Sequence, residues 1–459
     1  MVASYWIQKR VYKLYIALSL FVPYFTGLGL LVYFLPAPSI KNIPKTNQDA
    51  ARFIATAILL GISLNHLLML LIHDMKMSLF IGAILSVTGF CYAIYILRNS
   101  FTGYFKLGPV IGAIVLVTVL VFSFFILITP IEWDAQYIWF FHGKMIFYSN
   151  GLNQATGLSN HAYQFSHVDY PKLIAILSAQ FASLIGYWND TLPRLSLLVL
   201  LVPTILGVTS FYKKLNISFL YLYLMVFFSL NTYTVNGYMD AYLAIYACIS
   251  LLFFWQGITR DNTDDIVTGC AFISIIPLFK NEGMLFLISI ILGVILIVVV
   301  YKSTRHLSKE IIRNRLFWAI SALLVVNIAV WSWLKYRWGL KNDLNLGLDS
   351  IQLIINRVND DSVHTILRLV FSHTNIGISL LILLVTIFFS IKSLEFRFSS
   401  IALCTSVTLI YFTGMVLIYL ATPHDLAWHL SSSISRTMMT VNLSIIAANY
   451  SVLTTIDNT

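Results

Sequence analysis

Charge is what this sequence lacks most. Of its 459 residues only 10% are Asp, Glu, Lys or Arg, while 59% are apolar. A soluble domain carries about 25% charge, so a globule of this composition would have no polar skin, and a soluble fold is excluded. No long basic block exists either. The 29 Lys and Arg against 19 Asp and Glu give a net charge of +10, but no stripe gathers that charge, which excludes a nucleic-acid partner. In a membrane protein such an excess is more simply the Lys and Arg of cytoplasmic loops. Cysteine is scarce too: Cys91, Cys248, Cys270 and Cys404 each sit inside an apolar run, which argues against a disulfide framework and a metal-ligand set. No P-loop, dinucleotide-type glycine fingerprint, HExxH or GxSxG occurs in a supporting context. ATP-driven, redox and serine-hydrolase chemistry therefore have no foothold. Neither a C-terminal lipidation motif nor a retrieval motif ends the chain.

Long apolar runs are abundant, and the mean hydropathy is +0.83. Crossing a bilayer takes about 20 mainly apolar residues. Runs that meet or approach this are 14–35, 53–73, 78–97, 108–129, 194–212, 217–235, 238–256, 266–283, 284–301, 316–334, 374–391, 399–421 and 437–455. They are too long for buried strands and show no barrel-type alternation. The expectation is an all-α polytopic membrane protein with about thirteen transmembrane helices. Lys9, Arg10 and Lys13 precede the first run, which is longer than a signal-peptide core and lacks a small-residue cleavage site, as a retained anchor would.

Three connections exceed a turn: 130–193, 335–373 and 422–436. Lys213 and Lys214, Arg260, the run Lys302–Arg315, and Lys392 with Arg397 mark cytoplasmic loops. That places 231–240, 335–373 and 422–436 together on the opposite face. Segment 130–171 joins them only if the short apolar stretch 172–187 lies at the interface or re-enters. The alternative, in which 172–187 crosses, suits the cationic N-terminus better. The first topology is favoured because it gathers the polar loops on one face.

The densest chemistry lies in Pro130-Ile-Glu132-Trp-Asp134-Ala, followed by Trp139, His142 and Lys144. Two carboxylates two residues apart beside a membrane can act as a general base. Their hard oxygen donors also suit a divalent cation such as Mg or Mn. Asp134 equally suits a plain N-cap for a helix starting at Ala135, with the aromatics as interfacial anchors. In Ser166-His167-Val-Asp169-Tyr170-Pro171-Lys172, a His, an Asp and a Lys around a proline can meet a phosphate and a sugar hydroxyl, or simply form a polar turn. Asp240 opens an apolar run, where the helix dipole alone would favour an acid. Lys280-Asn281-Glu282-Gly283 interrupts the run from 266 to 301, as a functional charge or a local ion pair. If the last loop is helical after Pro423, Asp425, His429, Ser433 and Arg436 share a face that would cradle a phosphate.

Together these segments resemble the GT-C superfamily of integral-membrane glycosyltransferases. The likeness is closest to the branch holding protein O-mannosyltransferases, lipid A aminoarabinose transferases and RgtA/B/C/D-like bacterial enzymes. Within it, bacterial proteins with a "WDA…W…K" loop and a later "SHxDYPxL" are matched by Trp133-Asp134-Ala135, Trp139, Lys144 and Ser166–Pro171. Asp240-Ala, Lys280-Asn-Glu282-Gly and Trp428-His429-Leu with Arg436 continue the pattern. The resemblance covers roughly 108–436. It divides the chain into an added N-terminal unit (1–107), a catalytic core with its acidic loop (108–300) and C-terminal helices (301–459). Many relatives have two prolines where this chain has Pro171-Lys172, and no large soluble domain follows its last helix.

The resemblance implies transfer of a sugar from a polyprenyl-phosphate carrier to a glycan, lipid or protein acceptor, on the extracytoplasmic face of a bacterial plasma membrane. Asp134 would be the acid/base or metal-proximal carboxylate, with Glu132 beside it. Lys144, His167, Lys172, Lys280, His429 and Arg436 would serve the donor phosphate. Asp169, Asp240, Glu282, Trp139, Tyr170, His424 and Asp425 would meet sugar or acceptor. Two other classes compete. A polysaccharide polymerase or O-antigen ligase would concentrate Arg and His in a late loop, as Arg357, His364, Arg368 and His373 do in 335–373. It gives no reason for the Glu132/Asp134 pair. A secondary transporter would show inverted repeats and broken mid-membrane helices, and no repeat is detectable.

Overall fold

The computed structural model describes residues 22–34, 46–98, 107–152, 158–341, 348–390 and 398–456. Lys9, Arg10, Lys13, Lys392 and Arg397 lie outside them, as does much of the run 14–35. Among the described residues the regular structure is helical, apart from one isolated bridge between Asp74 and Gly151. The helices are α1 (Val22–Phe34), α2 (Asn47–Ile72), α3 (Met75–Leu97), α4 (Pro109–Ile128), α5 (Phe140–Ser149), α6 (Leu173–Ile185), α7 (Leu197–Thr209), α8 (Ile217–Phe228), α9 (Met239–Arg260) and α10 (Thr263–Ile273). They continue with α11 (Glu282–Val300), α12 (Arg305–Arg313), α13 (Arg315–Trp338), α14 (Leu348–Asn359), α15 (Ser362–His373), α16 (Ile376–Ser390), α17 (Phe398–Ala421), α18 (Leu426–Thr437) and α19 (Met439–Ile456).

Every apolar run read from the sequence holds a helix in its described part, but length sorts the helices. Among the described residues eight are long and apolar enough to cross a bilayer: α2, α3, α4, α7 with the 3-10 turn before it, α9, α11, α13 and α17. A ninth would be the pair α15 and α16, which meet at 76°. α9 is the hub of the bundle and is buried over nearly its whole length, whereas α3, α4, α11, α13 and α17 leave most of their apolar surface outside. In water such surfaces would be untenable; in hydrocarbon they are the solvated face.

The chain shuttles between two ends of this bundle. At one end the Gln48 side chain donates to the Tyr212 carbonyl, Arg52 pairs with Asp265, and Asp261 meets His306. At the other, the Leu152 amide donates to the His73 carbonyl at 2.8 Å, and two arginines hold helix C-termini. Arg194 donates to the carbonyls of Ile126, Leu127 and Thr129 at the end of α4. Arg357 of α14 donates to Tyr419, Leu420, Thr422 and His424 at the end of α17. The last carbonyls of a helix have no intrahelical donor, and a guanidinium carries enough N–H groups to serve several at once.

Segment 172–187 forms α6, whose 13 residues rise about 20 Å, short of the roughly 30 Å of hydrocarbon. It is nearly enclosed by protein. Gly143 lets α5 lie against it, since a Cβ there would come within 2.1 Å of the Ser178 hydroxyl. The described parts of loop 130–171 sit at the same end as 231–240 and 422–436. Neutral polar groups lock the first helices in mid-bundle: Asn65 and Gln180 exchange two amide hydrogen bonds (2.9 and 3.0 Å), and Asn327 of α13 holds His66 (2.8 Å) and Ser63 (3.0 Å). Such interhelical bonds substitute for the hydrophobic drive that lipid removes.

Candidate functional site

The chain turns helical at Trp133, immediately after Pro130, and Ala135–Trp139 is wound as a π-turn before α5. A π-turn is an uncommon distortion that turns up often at functional sites. Asp134 occupies the N-cap position of that turn, but its side chain makes no capping hydrogen bond. It pairs instead with Arg436 of α18, 302 residues away. The plain N-cap reading of Asp134 therefore fails for the side chain.

Arg436 begins a chain of charges. Its Nη1 lies 3.9 Å from Asp240 Oδ2 in the first turn of α9, and Asp240 Oδ1 accepts from Lys280 Nζ at 2.9 Å. Lys280 also reaches Glu282 Oε1 at 3.2 Å. Asp240 and Lys280 are almost fully buried, whereas Asp134, Arg436 and Glu282 keep part of their side chains exposed. Burial pulls the Arg436 guanidinium toward losing its proton, but Asp240 and Asp134 outweigh it and hold its pKa above the ordinary value. Removing charges from water is costly unless each is paired, and this row supplies the pairs. The geometry has a local origin: Pro277 lies in a 3-10 turn between α10 and α11, breaking the apolar run just before Lys280.

Aromatic rings line the row. Arg436 stands over Tyr238 at 4.3 Å from the ring centroid, and Lys280 lies 5.9 Å from the centroid of Tyr170. Tyr170 stacks on Trp139 at 5.4 Å and on His167 at 4.9 Å. Trp139 is buried, and its indole N–H has no hydrogen-bond partner. His167 sits in the left-handed region at φ 49°, a conformation that carries strain in a non-glycine residue. Asp169 is buried; its Oδ2 accepts from Asn281 at 2.7 Å, and its carbonyl accepts from the Trp331 indole at 3.2 Å. Gly237 closes the row from below. Its φ of 96° and a would-be Cβ contact of 2.6 Å with Ala135 leave room for no other residue.

Other predicted residues fall elsewhere. Lys172 is fully buried and turned from the row. Its Nζ donates to the Val168 carbonyl (2.9 Å) and to His142 Nδ1 (3.1 Å), and it lies over the Trp331 ring. His142 Nε2 meets Ser166 Oγ at 3.0 Å, and Ser166 donates to the Tyr163 carbonyl at 2.6 Å. The direction of this chain makes His142 a neutral, Nε2-protonated imidazole. Burial, with Lys172 and His167 adding to it, accordingly drives the His142 pKa well down. Burial also lowers Lys172 to about 7, against the pull of Asp169. Lys144 is exposed on α5, and Glu132 is exposed with its backbone N–H on the Asn236 carbonyl at 3.4 Å. Asp425 is an N-cap, accepting from the Trp428 amide at 2.8 Å, and His424 is exposed against the Trp428 ring.

The expected helix after Pro423 is present as α18. His429 packs on Tyr419 and bonds Thr422 Oγ1 at 2.9 Å; Ser433 bonds the Tyr419 hydroxyl at 2.9 Å. Burial, then the charges of His424, Lys280, Arg357 and Arg436, lower His429 to about 4, so it is neutral. Among the described residues no three His, Cys, Asp or Glu side chains converge as metal ligands. Asp134 is held by Arg436, and Glu132 is exposed. Tyr238 joins the row without having been singled out in the sequence; its signal was adjacency to Asp240.

No protein-family model matches this chain, and neither a curated protein nor a solved structure is detectably similar to it.

Proposed function

We propose that the protein is a membrane glycosyltransferase of GT-C type, with about thirteen crossings, that moves a sugar from a polyprenyl phosphate to an acceptor on the extracytoplasmic face of a bacterial plasma membrane. The observation that carries this reading is the Asp134–Arg436 pair at the head of the Asp240–Lys280–Glu282 row. A carboxylate without a capping duty is paired with the partly exposed Arg436, and the buried Lys280 lies one acid further along the row, at one end of an apolar bundle.

In the resting row every cation leans on an acid. Arrival of the donor phosphate gives Arg436 and Lys280 a better partner, because phosphate offers more charge and more acceptor oxygens. Arg436 turning to it frees Asp134. The acceptor oxygen then attacks the anomeric carbon, and its proton passes to the Asp134 carboxylate. The bond from that carbon to the phosphate oxygen breaks, and the electron pair leaves on the polyprenyl phosphate, whose charge the two cations neutralise. The anomeric configuration inverts. Neutral His429 borders the phosphate side. Lys144 and Lys172 have no part in this scheme.

A polymerase or ligase would need free cations in the late loop, but Arg357 is spent on the carbonyls that end α17. The test is transfer in membranes supplied with polyprenyl-phosphate sugars. Asp134→Asn keeps the shape and removes the base; a loss of about 10²- to 10⁴-fold is expected. Full transfer by that variant would remove Asp134 from the mechanism.

A further inference from the structure

The opposite end of the bundle carries a feature the proposed reaction does not use. Between α11 and α13 the chain lays down α12, nine residues long. From 302 to 315 it exposes Lys302, Arg305, Lys309, Arg313 and Arg315 against a single acid, Glu310. Charge alone would be explained by membrane topology. Beneath the helix, however, runs a small apolar groove of about 50 Å³, whose walls include Phe254, Ile266, Val294, Val298, Leu307 and Leu403. Leu307 comes from the underside of α12, and the Arg305 side chain donates to the carbonyl of Val298, in the groove wall, at 3.2 Å. A guanidinium thus stands at the margin of the groove with donors left over. Along α11, Val294 and Val298 are half-buried, while neighbouring Ile291, Ile295 and Val299 are exposed to the lipid side, so the groove opens where acyl chains lie. Trp318, exposed and donating its indole N–H to the Ile312 carbonyl at 2.7 Å, marks the same level as an interface.

We infer that this groove and the cationic flank of α12 form a binding site for one anionic glycerophospholipid, with an acyl chain in the groove and the phosphate on Arg305 and Lys309. An apolar slot alone would take any lipid, and surface cations alone would take any anion; side by side they select a chain joined to a negative headgroup. On a helical projection Lys309 falls on the same flank as Arg305, while Leu307 and Ile311 point into the groove. This site is independent of the transfer reading, since it lies at the other end of the molecule.

The test uses the purified full-length protein, delipidated in neutral detergent, with thermal melting as the readout. Phosphatidylglycerol is expected to raise the melting temperature more than phosphatidylcholine of the same chains, and soluble glycerophosphate is expected to do nothing. In the double variant Arg305→Gln/Lys309→Gln the two phospholipids should become equivalent. Val294→Trp fills the groove from its half-buried edge and should remove the response to both. Native mass spectrometry should find one retained phosphatidylglycerol on the wild type and none on Val294→Trp. Equal shifts for both lipids in the wild type, an unchanged response in the double variant, or a glycerophosphate shift as large as that of the lipid would each overturn the proposal.

Discussion

The molecule holds two buried sets of charge, one at each end, and they are built differently. At the Arg52 end the set is closed. Asp265 is fully buried and gives one oxygen to Arg52 and the other to Gln256 at 3.0 Å, while Asp49 serves both Arg52 and the capping box of α2. Both oxygens of Asp265 have a partner inside the protein. At the Arg436 end the set is open: Arg436, Asp134 and Glu282 stay partly exposed, and Glu282 Oε2 has no hydrogen-bond partner. The closed set clamps α2 to α9 and α10. The open one draws residues from four separate stretches of chain and leaves capacity unused. Satisfied networks serve stability, and incomplete ones serve ligands.

That contrast can be broken by experiment. The largest effect on stability belongs to Asp265→Ala, which leaves Arg52 with Asp49 alone and strips the buried Gln256 of its acceptor. A loss of about 1–3 kcal/mol is expected, read as a lower melting temperature in detergent, with transfer per folded molecule unchanged. If Asp265→Ala abolished transfer at full stability, the division of labour between the two ends would be wrong.

Lys172 is a third kind of buried charge, hydrogen-bonded only to neutral partners. Its pKa falls from 10.5 unfolded to about 7 folded. Between those values the unfolded chain binds a proton that the folded one does not, so stability rises with pH through this window, by up to about 1.4 kcal/mol per unit. Below about 7 the two states bind the same proton and the slope vanishes. Lys172→Met should flatten the window, which melting curves from pH 7 to 10 would reveal; an unaltered slope would assign it to other groups. The smallest effect is expected at Asp425, whose side chain caps α18. Asp425→Ala should cost about 1 kcal/mol and leave transfer nearly intact, whereas a loss of transfer comparable to that at Asp134 would move Asp425 into the open set.

Much of the open set was legible in the sequence. In a chain so poor in charge, Asp134, Asp240, Lys280, Glu282 and Arg436 stand out as interruptions of apolar runs, and the structure brings all five together. The helix after Pro423 was legible too, because its polar positions recur at a helical period. Lys172 and Lys144 do not join the row, for a common reason. Whether a cation is buried among neutral partners, exposed, or joined to a distant acid is decided by packing partners far along the chain. Local pattern gave Asp134 two equal readings, and only Arg436 distinguishes them. Helix existence was similarly plain, while the number of crossings was not, since α6, α8 and α10 are apolar yet short.

The 302 residues between Asp134 and Arg436 also set an order of events during synthesis. At about 5–20 residues per second, the carboxylate waits roughly 15–60 s for its guanidinium. An acid cannot spend that interval bare in hydrocarbon. A position on a juxtamembrane turn, within reach of water, lets Asp134 stay solvated until the late helix arrives. The row is therefore completed only after α18 has been made, and a polypeptide cut short between Asp134 and α18 would carry the acid without the cation that holds it.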